Sequence, residues 1–257
     1  MFSEDDLKDL KKYFPGPERS YKDSIEIFLY CCHKSGSTSL LNSLISRKRD
    51  VIRLHNNHSF KWKMRQGGYK KELAYTINDI INYCSLKNQV FVIDVYRDPL
   101  EKNISTIFEK YKKEIALLKY DQMLDFLDEK FLLELERSSF EEWPIDVFSY
   151  PFDKEKGYQV IVKNNITYIL LKFDRIPEWG TQLGHILNQM DLTLTAHNVT
   201  MCKKNIRDNY KYALENWKIP KEYIAYFLNK DRLKALHHFL TETEYTNYYR
   251  KVYSNSR

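Results

Sequence analysis

The sequence predicts an α/β fold: one domain on a central parallel sheet, with helices packed on its faces. Three observations carry that expectation. Short apolar runs with polar flanks occur at 25–30, 51–54 and 90–96. Stretches with apolar residues at helical spacing alternate with them, and the joints between the two kinds of segment are short and polar. With 43% hydrophobic residues in 257, the chain has enough apolar side chains for one ordinary core.

Taken in order, Ser3, Asp5 and Asp6 precede Leu7, Leu10 and Phe14, a capped amphipathic pattern that predicts a helix over 1–20, closed by Pro15-Gly16-Pro17. The strand at 25–30 leads into Cys31-Cys32-His33-Lys34-Ser35-Gly36-Ser37-Thr38-Ser39, after which Leu40, Leu41, Leu44 and Ile45 recur at helical spacing. A second strand at 51–54 is followed by a polar stretch with His55, His58 and Gly67-Gly68, then by a helix over about 70–83. The third strand, 90–96, ends in Arg97-Asp98-Pro99, where Asp98 suits an N-cap and Pro99 the first position of a helix running to about 111. The stretch 112–145 is helical, with Leu117, Leu118, Leu124, Leu127, Phe131 and Leu135 as its expected buried stripe. Strands at 158–162 and 166–171 flank Asn164-Asn165, a hairpin turn. From about 176 to 257 the pattern is helical, and Tyr245, Tyr248, Tyr249 and Val252 mark a packed face.

Composition removes several function classes. No uninterrupted apolar run approaches the about 18 residues a membrane span needs, and residues 1–20 are too charged for a signal peptide, so a soluble cytoplasmic chain is expected. Cys31, Cys32, Cys84 and Cys202 form no C-x-x-C pair and have no histidines at zinc-site spacing. Reduced thiols follow, with Cys31 and Cys32 as small residues at the end of a buried strand. The net charge of +6 is uneven: between Arg47 and Lys71 nine basic residues face one acid, Asp50, so the rest of the chain is slightly acidic.

Two turns have the chemistry of anion sites. A loop of hydroxylated residues around a glycine, set between a buried strand and a helix, offers backbone N–H groups at the positive end of the helix dipole. Here Lys34 adds a full charge, and Ser37, Thr38 and Ser39 add hydroxyls. The lysine precedes the glycine, so this is not a Walker A loop. Arg97, at the mouth of the next strand–helix turn, and Ser105, about two turns along that helix, form the second candidate. Parallel strands put both turns on one sheet edge, where two phosphates of one nucleotide would be held.

These residues resemble the sulfotransferase family that uses 3′-phosphoadenosine 5′-phosphosulfate (PAPS). The run from His33 to Ser39 is similar to its 5′-phosphosulfate loop, and Arg97-Asp98-Pro99 through Ser105 to its 3′-phosphate motif. The resemblance is nearest to the carbohydrate branch and to bacterial proteins of capsular polysaccharide synthesis, whose C-terminal helices look similar to the stretch from His237-His238-Phe239 to Tyr249. Motif similarity covers about residues 25–110. It implies a P-loop-like sulfotransferase fold, with a nucleotide-binding core over about 25–175. Lys34 and the loop Ser35, Gly36, Ser37, Thr38 and Ser39 would then hold the 5′-phosphosulfate, and Arg97 and Ser105 the 3′-phosphate. The product would be adenosine 3′,5′-bisphosphate, with no metal required.

Transfer also needs a base for the acceptor hydroxyl. His55 and His58 follow the second strand on the same sheet edge, His55 nearer its end, and some carbohydrate members carry a catalytic histidine in a similar place. His33 is an alternative phosphate contact. The basic segment around these histidines suits an anionic carbohydrate acceptor, with Trp62 and Tyr69 able to stack on sugar rings, and nucleic acid is not expected as the partner. Lys203, Lys204 and Arg207 form a later basic cluster. Two rival readings remain at this point: a magnesium-dependent P-loop-type kinase using Asp94, for which a structural role is the preferred reading, and a non-enzymatic polyanion-binding module built on 47–71.

Overall fold

The structure is a computed structural model that describes residues 26–31, 34–46, 51–54, 76–86, 88–137, 145–187, 194 and 206–254. Five strands form one sheet: β1 (Ile27–Tyr30), β2 (Val51–Leu54), β3 (Val90–Tyr96), β4 (Tyr158–Lys163) and β5 (Ile166–Lys172). Their order is β2-β1-β3-β5-β4. The first four in that order are parallel, and β4 runs antiparallel to β5 along one edge. The hairpin between β4 and β5 turns at Asn164, whose φ of 53° asparagine tolerates better than most residues.

The sheet carries apolar residues on both faces, as strands covered on both sides must. Ile27, Leu29, Ile93, Val95, Ile169 and Leu171 pack with α1 (Ser37–Ser46) and α6 (Ile176–Ile186) through Leu40, Leu44, Trp179 and Leu183. On the opposite face Phe28, Tyr30, Ile52, Leu54 and Val92 meet α2 (Ile77–Ser85) through Ile77, Ile80, Ile81 and Cys84. Alternation along each strand sorts these residues to their faces.

Contacts divide the chain into two compact units, the sheet with α1, α2 and α6 forming one. The other is helical and begins at Arg97. It holds α3 (Pro99–Lys110), α4 (Lys112–Ile115), α5 (Tyr120–Arg137), α7 (Arg207–Asn216), α8 (Lys221–Phe227), α9 (Lys230–Phe239) and α10 (Glu242–Ser254). Its core gathers Ile104, Ile107 and Phe108 of α3, Met123, Leu127 and Phe131 of α5, Tyr210 and Ala213 of α7, and Tyr248 and Val252 of α10.

Local chemistry sets the helix starts. Asp98 caps α3, its Oδ1 accepting from the backbone N–H groups of Leu100 at 2.7 Å and Glu101 at 3.1 Å, with Pro99 in the first helical position as expected. Thr76 caps α2 in a reciprocal box with Asp79. The described helix begins at Ile77; of the helix expected over about 70–83, residues 70–75 lie outside the described residues, as does the expected helix over 1–20.

The stripe expected over 112–145 holds in part. Leu127 and Phe131 are fully buried, but Leu117 is 86% exposed. The turn at 116–119 separates α4 from α5 and resets the helical phase, so that Met123 enters the core instead. On α10, Tyr248 and Val252 are buried while Tyr249 faces solvent. Among the described residues no helix is long and apolar enough to cross a membrane.

Candidate functional site

The turn between β1 and α1 has an unusual backbone. Lys34 has φ of +64° and Gly36 φ of +80°, on either side of the fully buried Ser35. The left-handed region is open to glycine but costs a lysine about 1–2 kcal/mol. Left-handed residues in such a turn aim successive N–H groups into one concavity, a backbone cradle for an anion. The first helical hydrogen bond runs from Leu40 N to Gly36 O at 3.1 Å. No acidic residue lies in the first turn of α1, so no side-chain carboxylate of that turn competes there for the positive end of the dipole. Ser37 is buried, and Thr38 and Ser39 are half-buried beside it.

A wall stands behind Gly36. A β-carbon there would lie 3.3 Å from Cη2 and Cζ3 of Trp179. The indole has little room to retreat, because Trp179 is 1% exposed, donates from Nε1 to the Lys172 carbonyl at 3.0 Å and meets Phe173 edge-on. Arg53 of β2 reaches the same turn, donating from Nη1 to Thr38 Oγ1 at 3.0 Å. In the sequence Arg53 stands out only as part of the basic run 47–71. Strand parity was the available signal, since Arg53 shares a face with Val51, which packs with α1 residues. Lys172, the last residue of β5, is a further buried cation at the carboxyl edge of the sheet, with Nζ 3.4 Å from Asp174 Oδ2.

The second candidate lies in the helical unit. Arg97 directly follows the last residue of β3 and is 8% exposed, and Ser105, on α3, is 2% exposed. The structure adds a residue that the sequence did not signal: Tyr210 of α7, buried in the same helical unit and close enough to Arg97 and Ser105 for both to favour its ionised form. Burial pushes the Tyr210 phenol above its ordinary range despite the nearby guanidinium, so it is a neutral hydroxyl at physiological pH. A buried guanidinium and a buried hydroxyl, those of Arg97 and Ser105, have the donor chemistry of an oxyanion site.

Asp94 is 8% exposed, and its Oδ1 accepts from the Val95 backbone N–H at 2.6 Å. That is the structural role expected of it. Cys31 is fully buried and its thiol donates to the Ile93 carbonyl at 3.4 Å. Arg207 is surface-exposed and paired with Asp208. His33, His55, His58, Trp62, Tyr69, Lys203 and Lys204 lie outside the described residues, as does all of the basic segment except 51–54. Among the described residues no group of three or more His, Cys, Asp or Glu side chains is placed to hold a metal ion. Compared with protein-family models, curated proteins and solved structures, the chain matches none of them.

Proposed function

We propose that this chain is a sulfotransferase that moves the sulfuryl group of PAPS to a hydroxyl of a carbohydrate, with an anionic polysaccharide as the acceptor class. The observation that carries the reading is the β1–α1 turn. A lysine held at positive φ, a glycine enclosed by Trp179 and a helix start without acids form a backbone anion cradle with one cation of its own. Arg97 and Ser105 support it as a buried guanidinium and a buried hydroxyl, the chemistry that a second phosphate needs.

In this reading Lys34 and residues 35–39 hold the 5′-phosphosulfate, and Arg97 and Ser105 hold the 3′-phosphate. The bond from sulfur to the 5′-phosphate oxygen breaks as the acceptor oxygen bonds to sulfur. Negative charge then grows on the leaving oxygen, where Lys34 and the N–H groups of α1 stabilise it. The acceptor's proton passes to a histidine, His55 ahead of His58. Arg53, bonded to Thr38, adds positive charge on the same side.

The kinase reading needs Asp94 to organise magnesium, whereas one of its carboxylate oxygens already accepts from Val95. Calorimetry and thermal shift with adenosine 3′,5′-bisphosphate in EDTA separate the two. Firm binding, with stabilisation of about 2.7 kcal/mol at about one hundred times Kd, is the expected result. No binding, alongside tight binding of ATP with magnesium, would sink the sulfotransferase reading.

A further inference from the structure

We infer that Arg53 is a positioning residue of the β1–α1 turn: by donating to Thr38 Oγ1 it leaves the Thr38 hydroxyl proton for the arriving 5′-phosphosulfate. The inference rests on the sulfotransferase reading and deepens it.

Arg53 stands where a charge has no local use. It is the third residue of β2, an edge strand, and its register partner on β1 is Leu29. It shares a face with Val51, and there Val51 and Leu29 pack with Leu40 and Leu44 of α1. A long cationic side chain in such a layer must carry its head past the apolar residues. The head reaches the start of α1, where Nη1 donates to Thr38 Oγ1 at 3.0 Å. Lys110, Arg175 and Arg207 each pair with an acid, whereas Arg53 meets no carboxylate among the described residues. Its charge is therefore not neutralised there by this part of the chain.

Hydrogen-bond direction gives the pair its use. A guanidinium can only donate, so the Thr38 oxygen accepts and its own proton is turned away from Arg53. Hydroxyls on helices commonly send that proton to a carbonyl of the preceding turn. Thr106 does so to Lys102 at 2.9 Å, and Ser46 to Ser43 at 2.7 Å. Thr38, held by Arg53, makes no such bond among the described residues. Its neighbour Ser37 is only 6% exposed, and among the described residues its hydroxyl has no hydrogen-bond partner either. A hydroxyl so nearly closed off from water stands to gain its partner from a ligand. Two hydroxyl donors, one of them polarised by a guanidinium, thus follow directly on the left-handed residues Lys34 and Gly36.

A double-mutant cycle on the full chain, read by calorimetry, tests this. Adenosine 5′-phosphosulfate probes the turn, and adenosine 3′-monophosphate is the control for the Arg97–Ser105 site. Arg53→Met removes the donor and keeps most of the length of the side chain. It should weaken adenosine 5′-phosphosulfate about tenfold and leave adenosine 3′-monophosphate unchanged. Thr38→Val should lose about as much, and Thr38→Ser should bind nearly as wild type does. Arg53→Met added to Thr38→Val should cost less than about threefold more, because the two residues act as one unit. Strictly additive losses overturn the inference, since Arg53 would then act by charge alone. Equal losses of both nucleotides, or an Arg53→Met chain that binds as wild type does, overturn it as well. In each of these cases wild type still binds adenosine 5′-phosphosulfate and the function stands. A wild type that does not bind it overturns the function and the inference together. Should Arg53→Met fail to fold, Arg53→Leu, apolar like the face around it, takes its place in the cycle with the same expected losses.

Discussion

The turns that leave β1 and β3 both open a helix from a parallel strand, yet they prepare for an anion in different ways. After β1 the preparation is in the backbone: Lys34 and Gly36 adopt positive φ, and no carboxylate enters the first turn of α1. After β3 the backbone is already engaged, because Asp98 accepts from two N–H groups of α3 and Glu101 follows in the same turn. There the candidate donors are the buried side chains of Arg97 and Ser105. A backbone cradle can follow charge that moves during a reaction, because several N–H groups converge on it. A fixed side-chain set suits a phosphate that only anchors the substrate. In the sulfotransferase proposal, the contrast would give chemistry to the first turn and recognition to the second.

The largest expected effect tests the first half of that contrast. Lys34→Ala should lower kcat for sulfuryl transfer by about 10²–10³-fold, the usual loss when one preorganised charge partner of the transition state is removed. Lys34→Gly should lose as much activity and yet be no less stable than wild type. Relief of about 1–2 kcal/mol of left-handed strain offsets the about 0.5–1 kcal/mol that glycine's freedom costs. Chemical denaturation beside a transfer assay reads both, and a Lys34→Gly chain that keeps its activity would remove Lys34 from the chemistry.

Next in size is Gly36→Ala. An alanine at φ of +80° is strained by about 1–2 kcal/mol, and its β-carbon would press the indole of Trp179 at 3.3 Å. A loss of about 2–3 kcal/mol of stability is expected once the packing strain is added, together with weakened 5′-phosphate binding. Unchanged stability would mean that the turn does not need its left-handed backbone.

Asp98→Ala addresses the second turn. Loss of the cap should cost about 0.5–2 kcal/mol in denaturant unfolding. Affinity for adenosine 3′,5′-bisphosphate should hold or rise, because a carboxylate is removed and two N–H groups are released. If Asp98→Ala weakened binding instead, the capped helix start would itself be part of the anion site, and the contrast between the two turns would collapse.

What the sequence disclosed follows the same division. Strand–turn–helix order, the Asp98 cap and the hairpin at Asn164 were legible, because each is fixed by residues a few positions apart. Lys34, Ser35–Ser39, Arg97 and Ser105 could be singled out for the same reason. Arg53 and Trp179 reach the first turn from other elements, through sheet parity and helix packing, and so were missed. Tyr210 stands 113 positions after Arg97 in the chain and left no local mark. Leu117 failed as a core residue because a turn, not a continuous helix, occupies 116–119.

The smallest effect is a pH dependence that belongs to the second turn alone. The Tyr210 phenol is raised in the folded protein, first by desolvation and further by Glu101, with Arg97 and Ser105 opposing. The folded state therefore holds that proton more tightly than the unfolded chain, whose tyrosines lose it near pH 10. The associated stability is fully present below about pH 10 and is lost as pH rises from there through the raised folded value. Tyr210→Phe has no such proton to lose. Urea midpoints followed from pH 8 to 11 should fall more steeply for wild type than for Tyr210→Phe, since the other tyrosines titrate in both chains. Parallel curves would mean that water reaches the phenol. The desolvation that sets the surroundings of the second turn apart from the first would then be absent, and the contrast between the two turns would weaken.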